Sequence, residues 1–205
     1  GWLKIDGTTI AYPVMDSRHS TYYATHDFSG EPSDYGVPYF APSANFSSAK
    51  AAEKNRTLTV FGNREGETQM FSPLLNYADA AFFSAHEYLT LNTLYSEDRY
   101  RVVAVFTAGT TEPDFSYDNP PTDAKAYAAF LKELEARSLF QLPVALTADS
   151  RLLFLSVDDP SDASETRRLV VAAQYCPAGT PETVYPIKEK PQNAFPTTAQ
   201  RADTT

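Results

Sequence analysis

The run LLFLSVDDPSDASETRRLVVAAQ, residues 152–174, constrains the fold more than any other stretch of this chain. It reads as a strand, a polar loop and a second strand, because two apolar segments rich in Leu, Val and Phe flank a cluster of Asp, Pro and Ser. Asp158 stands at the end of the first strand and Arg168 at the start of the second. The end of the chain is thereby committed to a sheet, with a carboxylate and a guanidinium where its last two strands meet one loop.

Upstream segments add strands to that pair. In WLKIDGTTIAYPVMD, Leu3 and Ile5 alternate, Asp6-Gly7 marks a turn, and Ile10, Tyr12 and Val14 alternate again, so two short strands flank the turn. Residues 17–50 are rich in Ser, Gly, Pro and aromatics and read as loops packed by Tyr22, Tyr23, Phe28, Tyr39 and Phe40. TLTVFG, residues 57–62, is a buried strand. QMFSPLLNYADAAFFSAH has apolar residues at helical spacing interrupted by Pro73, which predicts two short helices. YLTLNTLYSEDRYRVVAVFTAG reads as a hairpin with Ser96, Glu97 and Asp98 in its turn. TDAKAYAAFLKELEARS is the clearest helix: Tyr127, Phe130, Leu131 and Leu134 recur at i, i+3, i+4 and i+7, and Thr122 or Asp123 caps the first turn. The sum is a mostly-β domain over residues 1–176, a closed barrel with a few helices, one of them before the penultimate strand. Residues 177–205 are rich in Pro and Thr and read as a surface-hugging or disordered tail.

Composition narrows the class. Thirteen Phe and 13 Tyr among 205 residues supply enough packing material for a core, which excludes disorder over most of the length. Lys and Arg number 17 against 26 Asp and Glu, a net charge of −9, and no basic run is present. A nucleic-acid partner is therefore not expected. The lone Cys176 excludes an internal disulfide and a four-thiol metal site. No signal peptide and no apolar run of membrane-spanning length is visible, which fits a cytoplasmic protein or an excised ectodomain equally.

Four blocks in order carry a family resemblance. GWLKIDGTTIAYPVM, YYATHDFSGEPSDYGVPYF, TLTVFGNREGETQMFSPL and LLFLSVDDPSDASETRRLVV together resemble the sortase catalytic domain across about residues 1–175. The helix at 122–137, between the hairpin and the closing strands, points to class B. The resemblance implies a β-barrel transpeptidase at the extracellular face of a Gram-positive bacterial membrane or cell wall, with a membrane tether expected only N-terminal to this fragment. Such enzymes cleave a sorting-signal peptide, hold it as a thioester on Cys and pass it to an amine. A His moves protons and an Arg stabilises the oxyanion. No cofactor and no metal is implied.

The catalytic positions depart from the family. Phe61-Gly62-Asn63-Arg64 falls on the family's Tyr-Gly-His-Asn, placing Asn63 at the histidine. Phe154-Leu155-Ser156-Val157-Asp158 falls on Thr-Leu-Ser-Thr-Cys, placing Asp158 at the nucleophile and Val157 at the preceding threonine. Arg168 matches the essential arginine, with Arg167 as the off-by-one alternative, and Ala41 stands where class B members often carry Asp. An aspartate forms no thioester, and a mixed anhydride needs more driving force than peptide cleavage supplies. An asparagine does not titrate near neutral pH. Loss of the nucleophile in a triad enzyme costs on the order of 10⁶ in rate. The resemblance thus implies a pseudo-sortase with no intact catalytic residue set, in which Arg168, Asn63 and Asp158 remain as substrate-binding candidates.

Other residues carry less. Cys176 lies beyond the last strand and outside the motif. His26 matches a histidine of the aromatic block and reads as packing, whereas His19 and His86 read as solvent-exposed. Asp158, Asp159 and Asp162 form an acidic loop without the ligand order of an EF-hand. Three functions stay open: a module binding a sorting-signal peptide or partner sortase without cleavage; a surface enzyme with altered chemistry on Asp158 as acid, base or nucleophile; and a structural surface domain.

Overall fold

The alternation read from the sequence becomes a single curled sheet in the computed structural model, which describes residues 1–16, 22–109, 115–162 and 167–190. Among the described residues ten strands form: β1 (Trp2–Lys4), β2 (Ala11–Pro13), β3 (Tyr39–Phe40), β4 (Thr57–Phe61), β5 (Arg64–Glu65), β6 (Gln69–Met70), β7 (Tyr88–Asn92), β8 (Glu97–Gly109), β9 (Leu152–Asp158) and β10 (Arg167–Cys176). Eight of them hydrogen-bond in the order β2-β1-β7-β8-β10-β9-β4-β3, and β5 pairs with β6 as a separate ribbon. All pairings in the large sheet are antiparallel except β4 with β9.

The expected closed barrel is corrected to an open one. No strand ladder joins β2 to β3, so the sheet is a curled half-barrel. The gap is crossed at Met15, whose N–H donates to Pro38 O and whose carbonyl accepts from the Phe40 N–H, both at 2.9 Å. Two- and three-residue edge strands offer too few donors and acceptors to zip the seam further.

The sheet is buried on both faces, which explains why β9 and β10 read as nearly unbroken apolar runs. Leu153, Leu155 and Val157 face one cluster with Leu169, Val171, Leu3, Ile10 and Val102. Phe154, Val170 and Ala172 face another, together with Phe106, Phe115 and Tyr117. That second cluster is covered by helix α3 (Ala124–Arg137), whose buried residues are the predicted stripe Tyr127, Phe130, Leu131 and Leu134. Asp123 is its cap, accepting from Lys125 N and Ala126 N at 3.0 Å. The helix precedes β9, the penultimate strand, as read from the sequence.

Helices α1 (Ala49–Ala52) and α2 (Ala80–Ala85) are short. A 3₁₀ helix over Ser72–Ala78 precedes α2, and the break between them is Asp79, which caps α2 by accepting from Phe82 N at 2.9 Å. Pro73 opens the 3₁₀ helix instead of interrupting the pair, since proline lacks only a donor that a first turn leaves unused. The β7–β8 turn is likewise displaced. Asn92 pairs with Glu97, so the turn is Thr93–Ser96, and Glu97 and Asp98 belong to β8.

Beyond β10 the chain hugs the surface through residue 190. Gln141 N donates to Lys188 O and Lys190 N to Leu139 O, both at 2.7 Å. The Tyr185 ring lies 4.2 Å from the Arg101 guanidinium, over a buried ion pair between Arg101 and Glu87. Among the described residues no helix is long and apolar enough to cross a membrane.

Candidate functional site

Register places the closing carboxylate and guanidinium side by side. Arg168 is the direct cross-strand partner of Asp158, and directly opposed residues of an antiparallel pair project from the same face. The Arg168 Nη1 donates to Asp158 Oδ1 at 2.5 Å. Ser156, two residues back on β9, projects from that face too, and Arg168 Nε donates to its Oγ at 2.7 Å. Arg168 Nη2 donates to Ser156 O at 3.1 Å and to Gly62 O at 3.3 Å. The guanidinium therefore sits in a cradle built from the ends of β9 and β4. The Arg168 side chain is 14% exposed and the Asp158 side chain 40%.

Aromatic rings wall this cradle. Arg168 lies 5.3 Å from the Phe61 ring centroid, and Phe61 contacts both Tyr39 and Tyr117. The Tyr117 hydroxyl and Ser156 Oγ are 2.9 Å apart, so a polar chain runs from Asp158 through Arg168 and Ser156 to Tyr117. Burial raises the Tyr39 and Tyr117 hydroxyls above the ordinary phenol range, while the Arg168 charge pulls both the other way. Gly62 is required for close approach: a Cβ there would lie 2.6 Å from the Phe71 ring. Its N–H donates to Ser156 O at 3.1 Å, which locks the end of β4 to β9.

Arg167 belongs to the other face. Its Nε donates to Asp159 Oδ2 at 2.6 Å, and the Asp159 side chain is fully buried. Asp159 Oδ1 also accepts from Ser161 N and Ser161 Oγ. Register thus pairs Arg168 with Asp158 and leaves Arg167 to hold Asp159, just beyond the end of β9. Two of the segment's three aspartates face different arginines, and no group of three metal-ligating side chains occurs among the described residues.

Asn63 makes a separate set of contacts. Its Nδ2 donates to Ala24 O at 2.7 Å and Tyr35 O at 3.1 Å, and among the described residues no hydrogen bond joins it to Asp158 or Arg168. It holds the loop that leads into β3. That loop turns on Gly36 at φ +56°, where a Cβ would collide with the Tyr23 and Ala24 backbone, so a glycine is required there. His26 lies on the same loop, stacked at 4.0 Å on Tyr22. His86 ends α2, stacked at 4.0 Å on Phe82 with its Nδ1 against Phe82 O. His19 lies outside the described residues. Ala41 is buried, and its N–H donates to Thr59 O. Cys176 ends β10 eight residues past Arg168, roughly 26 Å away at strand rise. Burial raises its thiol above the usual range.

Sequence reasoning missed Ser156, Phe61, Tyr39 and Tyr117. Ser156 had a signal, because it shares strand parity with Asp158. Tyr117 had none, since only the packing of the segment before α3 brings it to β9.

Comparison with known proteins follows this geometry. No family model matches the chain. Sortase B of Staphylococcus aureus is 25% identical over 178 residues, covering 85% of this chain and 68% of that protein. Its solved substrate complex superposes with a TM-score of 0.74 at 22% identity, over 87% of this chain and 79% of that one. Sortase B of Listeria monocytogenes is 25% identical over 172 residues, covering 83% and 67% respectively. The structure of Clostridium perfringens sortase B gives a TM-score of 0.75 at 24% identity, over 85% of this chain and 92% of that one. The curled sheet is thus the sortase fold. Within that fold the chain is similar to class B sortases in sequence as well as in architecture.

Proposed function

We propose that this chain is a catalytically inactive sortase-like surface protein that binds a sorting-signal-type peptide without cleaving it. The observation that carries this reading is the occupancy of Arg168. Its guanidinium donates to Asp158, Ser156 Oγ, Ser156 O and Gly62 O, so four of its five N–H donors are turned to the protein itself and not to an oxyanion. The aligned nucleophile position is Asp158, which forms no thioester, and the aligned histidine position is Asn63, which carries no titrating proton. The half-exposed Asp158 carboxylate instead offers an acceptor to backbone N–H groups of an extended peptide. A substrate complex of Staphylococcus aureus sortase B supports peptide as the ligand class. The same reading puts the protein on the outer face of a Gram-positive membrane or cell wall.

The test is a titration of the labelled chain with a panel of class B sorting-signal peptides, followed by amide chemical shifts and by peptide mass. The expected result is saturable shifts at Gly62, Ser156, Asp158 and Arg168 with every peptide recovered intact. Absence of saturation up to about 10 mM, a very weak limit on the affinity scale, overturns peptide binding. Cleavage that disappears in Asp158→Asn overturns inactivity and establishes chemistry on the carboxylate.

A further inference from the structure

The far end of the sheet holds a cavity, unrelated to the Arg168 cradle. Arg168 opposes Asp158 and Ala108 at one end of β10, whereas Tyr175 opposes Tyr100 at the other. Seven residues of strand, roughly 23 Å at strand rise, separate the two. Here α1, the β7–β8 turn and the residue before β9 enclose a cavity of about 190 Å³. Phe46, Tyr95 and Tyr175 supply apolar walls, and the Tyr95 hydroxyl donates to Phe46 O at 3.1 Å, joining the turn to the opposite wall.

Arg151 is the unexplained group in this cavity. Its guanidinium is stacked 4.4 Å from the Tyr175 ring centroid, a fixed and presented position. Its Nε is buried and has no hydrogen-bond partner among the described residues. The nearest carboxylate, Asp98, lies 4.0 Å from Nη2, too far for a hydrogen bond, and its Oδ2 instead accepts from Ser96 Oγ at 3.0 Å. The Arg151 side chain is about one-third exposed overall, so its Nη groups are the donors open to a ligand, and a planar guanidinium matches a carboxylate in fork geometry. The cavity also carries two acidic side chains, Asp98 and Glu53, against the one guanidinium. A simple anion is repelled by that balance. A ligand carrying both charges is matched by it.

We propose that this cavity binds a small zwitterion of single-amino-acid size, its carboxylate on Arg151, its ammonium toward Asp98 and Glu53, and an apolar side chain against Tyr95 and Phe46. The proposal is independent of peptide binding at Arg168. It predicts that L-leucine or L-phenylalanine produces saturable amide shifts at Ala52, Thr93, Ser96 and Tyr175 and leaves Gly62 and Arg168 unmoved. Isoamylamine and phenethylamine, which lack the carboxylate, bind at least about tenfold more weakly, as does the amino acid to Arg151→Gln. Tyr95→Ala, at a half-exposed rim position, is a second variant that weakens binding should Arg151→Gln fail to fold. The proposal is overturned by equal binding of amines and amino acids. It is equally overturned by unchanged affinity in the variant that folds, or by no saturation with either amino acid up to about 20 mM.

Discussion

Asp158 and Asp159 are neighbours in the chain and point to opposite faces of one strand end, so their environments diverge. Asp159 is fully buried and accepts three hydrogen bonds, from Ser161 N, Ser161 Oγ and Arg167 Nε. Asp158 is half exposed and among the described residues accepts one, from an arginine that keeps three other acceptors. Asp159→Ala is expected to lower the unfolding free energy by about 2–3 kcal/mol, the scale of buried charge-assisted hydrogen bonds. Asp158→Ala is expected to cost no more than about 1 kcal/mol, as for a solvent-screened pair. Urea titrations that give equal losses would contradict this division. The meeting of Asp158 with Arg168 was legible in the sequence, because two strand ends joined by a short loop must face one another. The burial of Asp159 was not, since parity says which face a side chain takes but not what covers that face. The contacts of Asn63 were equally hidden, because they depend on how Gly36 folds a distant loop onto it.

Among elements, those with a long period were legible and those with short ones were displaced. The stripe of α3 repeats over two turns and overdetermines the helix. The β7–β8 turn rests on a few polar residues, and its place is decided by which rows of side chains pair across the strands. There Tyr88 to Asn92 aligns with Arg101 to Glu97 and pulls Glu97 and Asp98 into β8. The helix also fixes an alkaline limit. The Tyr127 hydroxyl donates to Ser150 O at 3.0 Å, and burial pushes it up to about 12, with Arg56 pulling the other way. Its value in the unfolded chain is about 10, so between those values the native state holds a proton that the unfolded state has released. Stability is therefore full below about pH 10 and falls as pH rises toward 12. In Tyr127→Phe the fall over this window should be shallower, with some slope left because burial also raises Tyr77 and Tyr100. The variant loses about 1 kcal/mol at neutral pH with the hydrogen bond. Denaturation midpoints measured across the window check both effects.

At the scale of the molecule, the sheet has a strong side and a weak one. Ten paired positions join β10 to β8, whereas the β2 and β3 edges approach each other through Met15. The closed barrel inferred from strand count failed here because strand number does not report edge length, and two- or three-residue edges cannot complete a ladder. This inequality sets a sequence of events in time. The amides of Met15 and Phe40 should trade their protons for deuterons in heavy water well before those of Val105 and Val171, through openings that leave the rest of the sheet intact. Simultaneous exchange of all four would mean that the seam opens only when everything does. Otherwise the molecule behaves as a cuff with one light clasp, whose interior is first reached by solvent between Met15 and Tyr39.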